Sequence, residues 1–453
     1  MYVVRHRRAA GARLTTHEAL RCMSRDVLCG VSRIGARLTR VADVGDTTDV
    51  KPRQSFRGLV AAALIGAATL LTAVNALAQN NSAAATTASS ANSANSASSG
   101  AGAVVALPST GGSVPITPAV PIGQSTITQG VAQLKERYNL SHVWLRSETD
   151  GGAPLEAATP GDDASRMLPV ASLSKSVTAI GIALLVQQGK LSLDAKLGEL
   201  LDAYSKEHGK PLDPSLRDLS VRRLLAHRAG LATNGYNDPV NGLYSGLAIR
   251  RVGGSSDFFN YLDAGDAGHS TGKTDFVYSN VSYLLLGMVI EAVSGTDYKD
   301  FCEKNIFGPL GIADATLPES WRLLAPFAGW QMSTSALLKV WRVFDIRRPS
   351  LLTEKTLRAM LLDKQAGPIN PDRDIFYTLG VFLVPGSGDR SYRISHDGIA
   401  DFFRTQSTYY TVVEKTVPGD SWALVVSPIP PRGQFGAIQR DVRKIIRQAR
   451  LVP

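Results

Sequence analysis

The stretch LPVASLSKSVTAIGIALLVQQG, residues 168–189, joins a short apolar lead-in to a hydroxyl-rich turn and then a longer apolar run. Val177, Ile180 and Leu184 recur at helical spacing and Gly189 closes the pattern, so a helix is predicted to begin where Leu168 to Ala171 ends. At its mouth stands Ser172-Leu173-Ser174-Lys175. Three residues is nearly one helical turn, so Ser172 and Lys175 face the same way, with the serine at the positive end of the helix dipole. A hydroxyl is a poor nucleophile at its own pKa, whereas a lysine desolvated in an apolar pocket becomes a neutral amine that can remove its proton. A capping serine beside a surface lysine would spell the same four letters, so the motif needs company.

The company is there. Tyr278-Ser279-Asn280 opens a second apolar run, Leu284 to Val293, that stops at Ser294-Gly295, and His396-Asp397-Gly398 follows the strand-like Tyr392 to Ser395. A tyrosine relays a proton beside a cation, and an asparagine amide can hold both a lysine amine and a substrate carbonyl. Each motif alone has a plain reading, a capping asparagine and a strand-end turn containing histidine. Their order and spacing together give them weight.

In that order the motifs resemble those of the serine β-lactamases and penicillin-binding DD-peptidases, in the branch holding class C β-lactamases, D-alanyl-D-alanine carboxypeptidases and related esterases. Leu224-Leu225-Ala226-His227-Arg228-Ala229-Gly230-Leu231 is similar to the family's LLxHxxGL segment, and Ile306-Phe307-Gly308-Pro309-Leu310-Gly311-Ile312 to its I-x-x-PLGM segment. The resemblance covers about residues 125 to 450. It implies an acyl-enzyme on Ser172, proton transfer by Lys175 with Tyr278, orientation by Asn280, and an oxyanion hole from the backbone N–H groups of Ser172 and Ile399 beside Gly398. It also implies that His396 meets the polar end of the substrate. Two departures bear on substrate. Ile399 and Phe402-Phe403 stand where family members keep glycine and a glycine-aromatic pair, adding bulk expected to narrow the cleft. His396 replaces the lysine of true β-lactamases and is mostly uncharged near neutral pH, which weakens carboxylate binding.

Working outward, strand-like runs lie at Ser141 to Ser147, Tyr377 to Val384, Tyr392 to Ser395, Phe402 to Val413 and Trp422 to Ile429. Helical patterns lie before them, at Ile127, Val131, Leu134 and Tyr138, and after them, at Ile438, Val442, Ile445 and Ile446. Between about Leu191 and Phe344 the pattern is helical in short pieces. The expectation is an α/β fold of β-lactamase/transpeptidase type: an antiparallel sheet flanked by terminal helices, formed by 124–190 and 345–453, with a mostly helical region, 191–344, inserted.

Ahead of this, Arg53 and Arg57 precede an apolar run from Leu59 to Val74 and the small-x-small Ala76-Leu77-Ala78. Residues 1–78 therefore read as a leader with a signal peptide, cleaved before Gln79, and an uncleaved leader would be the one route to a membrane tether. Residues 79–123 form an Ala/Ser/Asn-rich linker that buries too little to order itself. A net charge of +10 suggests nucleic acid until it is divided along the chain. The leader holds twelve Lys and Arg against five Asp and Glu, leaving 37 against 34 elsewhere, so a nucleic-acid partner is not expected. Export to the periplasm or outside is. Cys302 is alone beyond the leader, so no intramolecular disulfide holds the mature chain.

Other signals carry less. Ala267 to Thr274 fits a relaxed phosphate loop but lacks the preceding buried strand. His227, in a turn after two leucines, reads as a buried hydrogen-bonding strut. The sequence thus predicts an exported serine hydrolase, of carboxypeptidase or esterase type, that needs no metal or organic cofactor. Its substrate would be a small molecule or a peptidoglycan-derived peptide, presenting an amide, ester or β-lactam carbonyl. The rival reading is a catalytically idle scaffold or cell-wall binding protein that keeps the fold.

Overall fold

Ile127, Val131 and Leu134 share one face of a helix and all are buried, so the chain enters the fold as α1 (Ile122–Arg137). The computed structural model describes residues 122–208, 211–231, 269–365, 367–370, 372–388, 390–401 and 407–451, all in the unit Ser113–Pro453. The expected leader, nearly all of the linker, and Phe402-Phe403 lie outside the described residues. After α1 come β1 (His142–Glu148), β2 (Leu155–Ala158), the short β3 (Leu168–Pro169) and a 3-10 turn, Ala171–Leu173, that feeds α2 (Ser174–Gln187). Helix α2 is buried on every side from Ser174 to Leu185 and stops where Gly189 takes a φ of 69°, a conformation that side chains resist.

The middle of the chain is mostly helical: α3 (Leu197–Glu207), α4 (Val221–Leu225), α5 (Asn280–Ser294) and α6 (Tyr298–Cys302), then the short β4 (Ala315–Thr316) and β5 (Gln331–Met332), then α7 (Thr334–Arg342) and α8 (Glu354–Met360). Helix α5 ends at Gly295 with φ 66°, as its Ser-Gly stop signal predicts. The chain closes with β6 (Phe376–Thr378), β7 (Val381–Pro385), β8 (Tyr392–Ala400), β9 (Tyr409–Val417), β10 (Ser421–Ser427) and α9 (Phe435–Leu451).

Strands from both ends of the unit build one antiparallel sheet in the order β2-β1-β10-β9-β8-β7-β6. Strand β1 pairs with β10 in the register Val143↔Val426 and Leu145↔Leu424. Period-two alternation then sorts the side chains. Val143, Leu145, Tyr410, Val412 and Leu424 face α1 and α9, whose Ile127, Val131, Ile438, Val442 and Ile446 complete that layer. Ile394, Val413 and Ala423 face the opposite way, into a larger core shared with α2, α5 and α7. Among the described residues no helix is long and apolar enough to cross a membrane.

Two local expectations are corrected. The run Tyr377 to Val384 is a hairpin of β6 and β7, because Leu379 and Gly380 both take left-handed φ values, 41° and 74°, and reverse the chain. The strand expected to end at Ser395 continues to Ala400, so His396-Asp397-Gly398 lies within β8 and pairs with Val413, Val412 and Thr411 of β9.

Candidate active site

The turn carrying Ser172 is pinned from two sides. Val170 N–H donates to the Trp330 carbonyl at 3.1 Å, Trp330 N–H donates to Ser174 Oγ at 3.3 Å, and Thr411 Oγ1 of β9 donates to the Pro169 carbonyl at 3.2 Å. Ala171, immediately before the serine, is held at φ 48°, a left-handed conformation that costs a residue with a β-carbon about 1–3 kcal/mol. Gly398 of β8 lies against this turn. A β-carbon on Gly398 would sit 2.5 Å from the Val170 carbonyl oxygen and 2.9 Å from Ser172 N, so this stretch of strand can approach the nucleophile turn only as glycine.

Lys175, one turn into the helix, is fully buried. Its Nζ donates to Ser172 Oγ at 3.2 Å, to Asn280 Oδ1 at 2.6 Å and to the Phe327 carbonyl at 3.0 Å. The Tyr278 ring centroid lies 4.8 Å from the same nitrogen. The structure thus brings together Ser172, Lys175, Tyr278 and Asn280 around one amine, and its three named acceptors are neutral oxygens. Such a buried amine is costly to keep unless its position is used. The Phe327 carbonyl had no signal in the sequence, since every residue carries a carbonyl.

His396 is 2% exposed, with its ring centroid 6.3 Å from that of Tyr278. Its Nδ1 lies 2.7 Å from the Asp397 carbonyl oxygen, which can only accept, so Nδ1 carries the proton. Nε2 is then the acceptor, and the Tyr377 hydroxyl donates to it at 2.9 Å. Burial and the nearby Lys175 cation push its pKa from 6.5 down to about 3, so the ring is neutral. Both ring nitrogens are engaged within the protein, which leaves His396 packed behind the cleft. Tyr377, on β6, is the side chain that sequence reasoning missed, and nothing local to it marks the role.

His227 is also buried, at 1% exposure. Ser279 N–H donates to its Nδ1 at 3.2 Å, and the ring packs among Tyr278, Tyr283 and Tyr377 with centroids 4.3, 5.1 and 4.6 Å away. Burial first, then the Lys175 charge, holds its pKa well below the usual value. The segment that resembled a phosphate loop runs beside this turn. Among its described residues, Thr271 N–H donates to the Gly230 carbonyl at 2.9 Å, and no helix follows before Asn280.

Ile399 corrects an expectation. With His396 and Gly398 facing the nucleophile turn, strand alternation sends Ile399 to the other face, where it packs with Tyr410 and the terminal-helix layer. Its bulk does not narrow the cleft. Among the described residues no group of three His, Cys, Asp or Glu is placed to hold a metal ion.

The model of the Beta-lactamase family matches residues 140–426, more than half of the chain. The chain belongs to the Beta-lactamase family. Penicillin-binding protein 4* of Bacillus subtilis (strain 168) is 29% identical over 147 residues, 32% of this chain and 29% of that protein. Lovastatin esterase of Penicillium rubens is 26% identical over 162 residues, 33% of this chain and 39% of the esterase. The matched stretch therefore spans roughly a third of these relatives. Among solved structures, D-amino acid amidase from Ochrobactrum anthropi SV3 superposes with a TM-score of 0.56 over 72% of this chain and 99% of the amidase, at 17% identity, which shows a common fold. This member of the Beta-lactamase family thus has the β-lactamase/transpeptidase-like fold, with relatives named as a penicillin-binding protein and an esterase and a structural neighbour named as an amidase.

Proposed function

We propose that the chain is an exported serine hydrolase that opens an amide, ester or β-lactam carbonyl through an acyl-enzyme on Ser172. The observation that carries this reading is the fully buried Lys175 amine, 3.2 Å from Ser172 Oγ and clamped by Asn280 and the Phe327 carbonyl. Once Lys175 has given up one proton, its neutral Nζ takes the Ser172 hydroxyl proton while Oγ forms a bond to the carbonyl carbon. The carbonyl π pair moves onto oxygen, where the N–H groups of Ser172 and Ile399 are suited to receive it. When the oxyanion collapses, the bond to the leaving group breaks, and the proton on Lys175 passes with the help of Tyr278 to the departing nitrogen or oxygen. Water then repeats the sequence on the acyl-enzyme, releasing the acid and restoring Ser172.

Uncharged acyl substrates fit best. His396 carries no charge and spends both nitrogens inside the protein, so it offers nothing to a substrate carboxylate. Uncharged esters and amides therefore suit this site better than carboxylate-bearing β-lactams. An idle scaffold has no use for a buried amine aimed at a serine hydroxyl. The test is a fluorophosphonate label read beside hydrolysis of a p-nitrophenyl ester. Labelling and hydrolysis should both vanish in Ser172→Ala, and labelling that survives the substitution ends the claim that Ser172 is the nucleophile.

A further inference from the structure

His227 grips the segment that carries Tyr278 at two points. Its carbonyl accepts the Val277 N–H at 2.9 Å, and its ring Nδ1 accepts the Ser279 N–H at 3.2 Å, so the amides on both sides of Tyr278 end on one residue. The His227 ring also lies against the Tyr278 ring, with centroids 4.3 Å apart. The next residue along, Asn280, places its Oδ1 2.6 Å from Lys175 Nζ.

The turn holding His227 is shaped for this grip. His227 stands at φ 55° and Gly230 at φ 62°, two left-handed residues three apart. A β-carbon on Gly230 would meet the Lys273 backbone at 2.8 and 2.9 Å, so the 270–279 segment lies directly on the turn. Ser270 Oγ donates to the Ala229 carbonyl at 2.6 Å, Arg223 Nη2 to the Lys273 carbonyl at 3.0 Å and Arg228 Nη1 to the Thr274 carbonyl at 3.0 Å. Packing alone does not explain the histidine. Its Nε2 finds no hydrogen-bond partner among the described residues, inside a box of Phe276, Tyr278, Tyr283 and Tyr377 that a leucine would fill without burying an N–H. What leucine lacks is an acceptor for the Ser279 N–H.

We infer that His227 is the positioning residue of the catalytic centre: its ring Nδ1 holds the Tyr278-Ser279-Asn280 turn in the register that sets Asn280 and Tyr278 against Lys175. This rests on the acyl-enzyme reading above. His227 touches no reacting atom and acts through the turn. The groups facing it are Lys175 from α2, Tyr278 from the turn, Tyr283 from α5, Tyr377 from β6 and His396 from β8.

Two substitutions in the full chain isolate the acceptor, because both residues tolerate left-handed φ. His227→Gly removes ring and acceptor, whereas His227→Asn returns an amide oxygen near the Nδ1 position. With a p-nitrophenyl ester, His227→Gly should lower kcat roughly a hundredfold with KM little changed, the size expected when a catalytic group shifts by about 1 Å. The acid limb of its pH–rate profile should move, because the surroundings of Lys175 change. His227→Asn should recover kcat to within roughly fivefold of the parent and restore the limb. The inference is overturned if the limb stays put in both and activity falls only in proportion to the folded fraction, or if the asparagine variant is no better than the glycine one. Should His227→Gly not fold, His227→Asn decides alone, by the same rate and limb. Ser172→Ala in the same assay separates the two levels. Residual hydrolysis there sinks the hydrolase reading, while a dead Ser172→Ala beside an unmoved acid limb sinks only the role of His227.

Discussion

Gly398→Ala adds a single methyl group to a strand residue whose backbone is not left-handed, so any effect comes from what the new carbon meets. It would meet the Val170 carbonyl oxygen at 2.5 Å, Ser172 N at 2.9 Å and Ala171 Cβ at 3.1 Å. Carbon and carbonyl oxygen settle at about 3.3 Å or more, so β8 and the nucleophile turn must separate by roughly 0.8 Å. The turn cannot yield freely, because Trp330, Thr411 and the left-handed Ala171 already fix it. Overpacking of this kind costs about 1–3 kcal/mol of stability, while an offset near 1 Å between nucleophile and oxyanion donors costs about a hundredfold in rate. The variant should therefore stay folded, with a melting temperature only a few degrees lower, and lose phosphonylation of Ser172 by a fluorophosphonate out of proportion to that drop. The assay is the second-order labelling rate beside a thermal melt. A labelling rate within threefold of the parent would refute the claim that Gly398 sets the spacing of the site.

Two further outcomes follow from burial. His396 and His227 are neutral in the folded chain, with pKa values of about 3 and well below 6.5, but bind protons once unfolded. The unfolded state therefore binds more protons as pH falls below about 6.5, and stability is lost on that side, by about 2 kcal/mol for His396 between pH 7 and 5, with His227 adding in the same direction. Asp397, whose pKa burial raises, opposes this in part. Urea midpoints at the two pH values measure it, and a parent whose acid slope matches that of His227→Asn would count against the buried neutral pair. Ile399→Ala should cost stability, about 1–2 kcal/mol for a half-buried side chain, and leave the ratio of ester to cephalosporin kcat/KM unchanged. A shift in that ratio of tenfold or more would return Ile399 to the cleft.

Much of this protein is written locally. The spacing of Val177, Ile180 and Leu184 with Gly189 foretells α2, Ser294-Gly295 foretells the end of α5, and the faces of α1 and α9 follow from their own apolar periodicity. The motifs at Ser172, Tyr278 and His396 could be read in order because each needs a particular side chain. What the sequence left open is what depends on residues far apart. Leu379 bears no mark of a turn, yet the hairpin it starts brings Tyr377 to His396. The Phe327 carbonyl that holds Lys175 belongs to a backbone group common to all residues, so only packing selects it. The direction of Ile399 was decided by parity along β8: once Gly398 must face Ser172, its neighbour must face the terminal helices. Local periodicity specifies an element and its faces, but contacts across 50 to 240 residues, such as His227 with Ser279 or Thr411 with Pro169, are settled only when whole elements pack together and leave one close-packed arrangement.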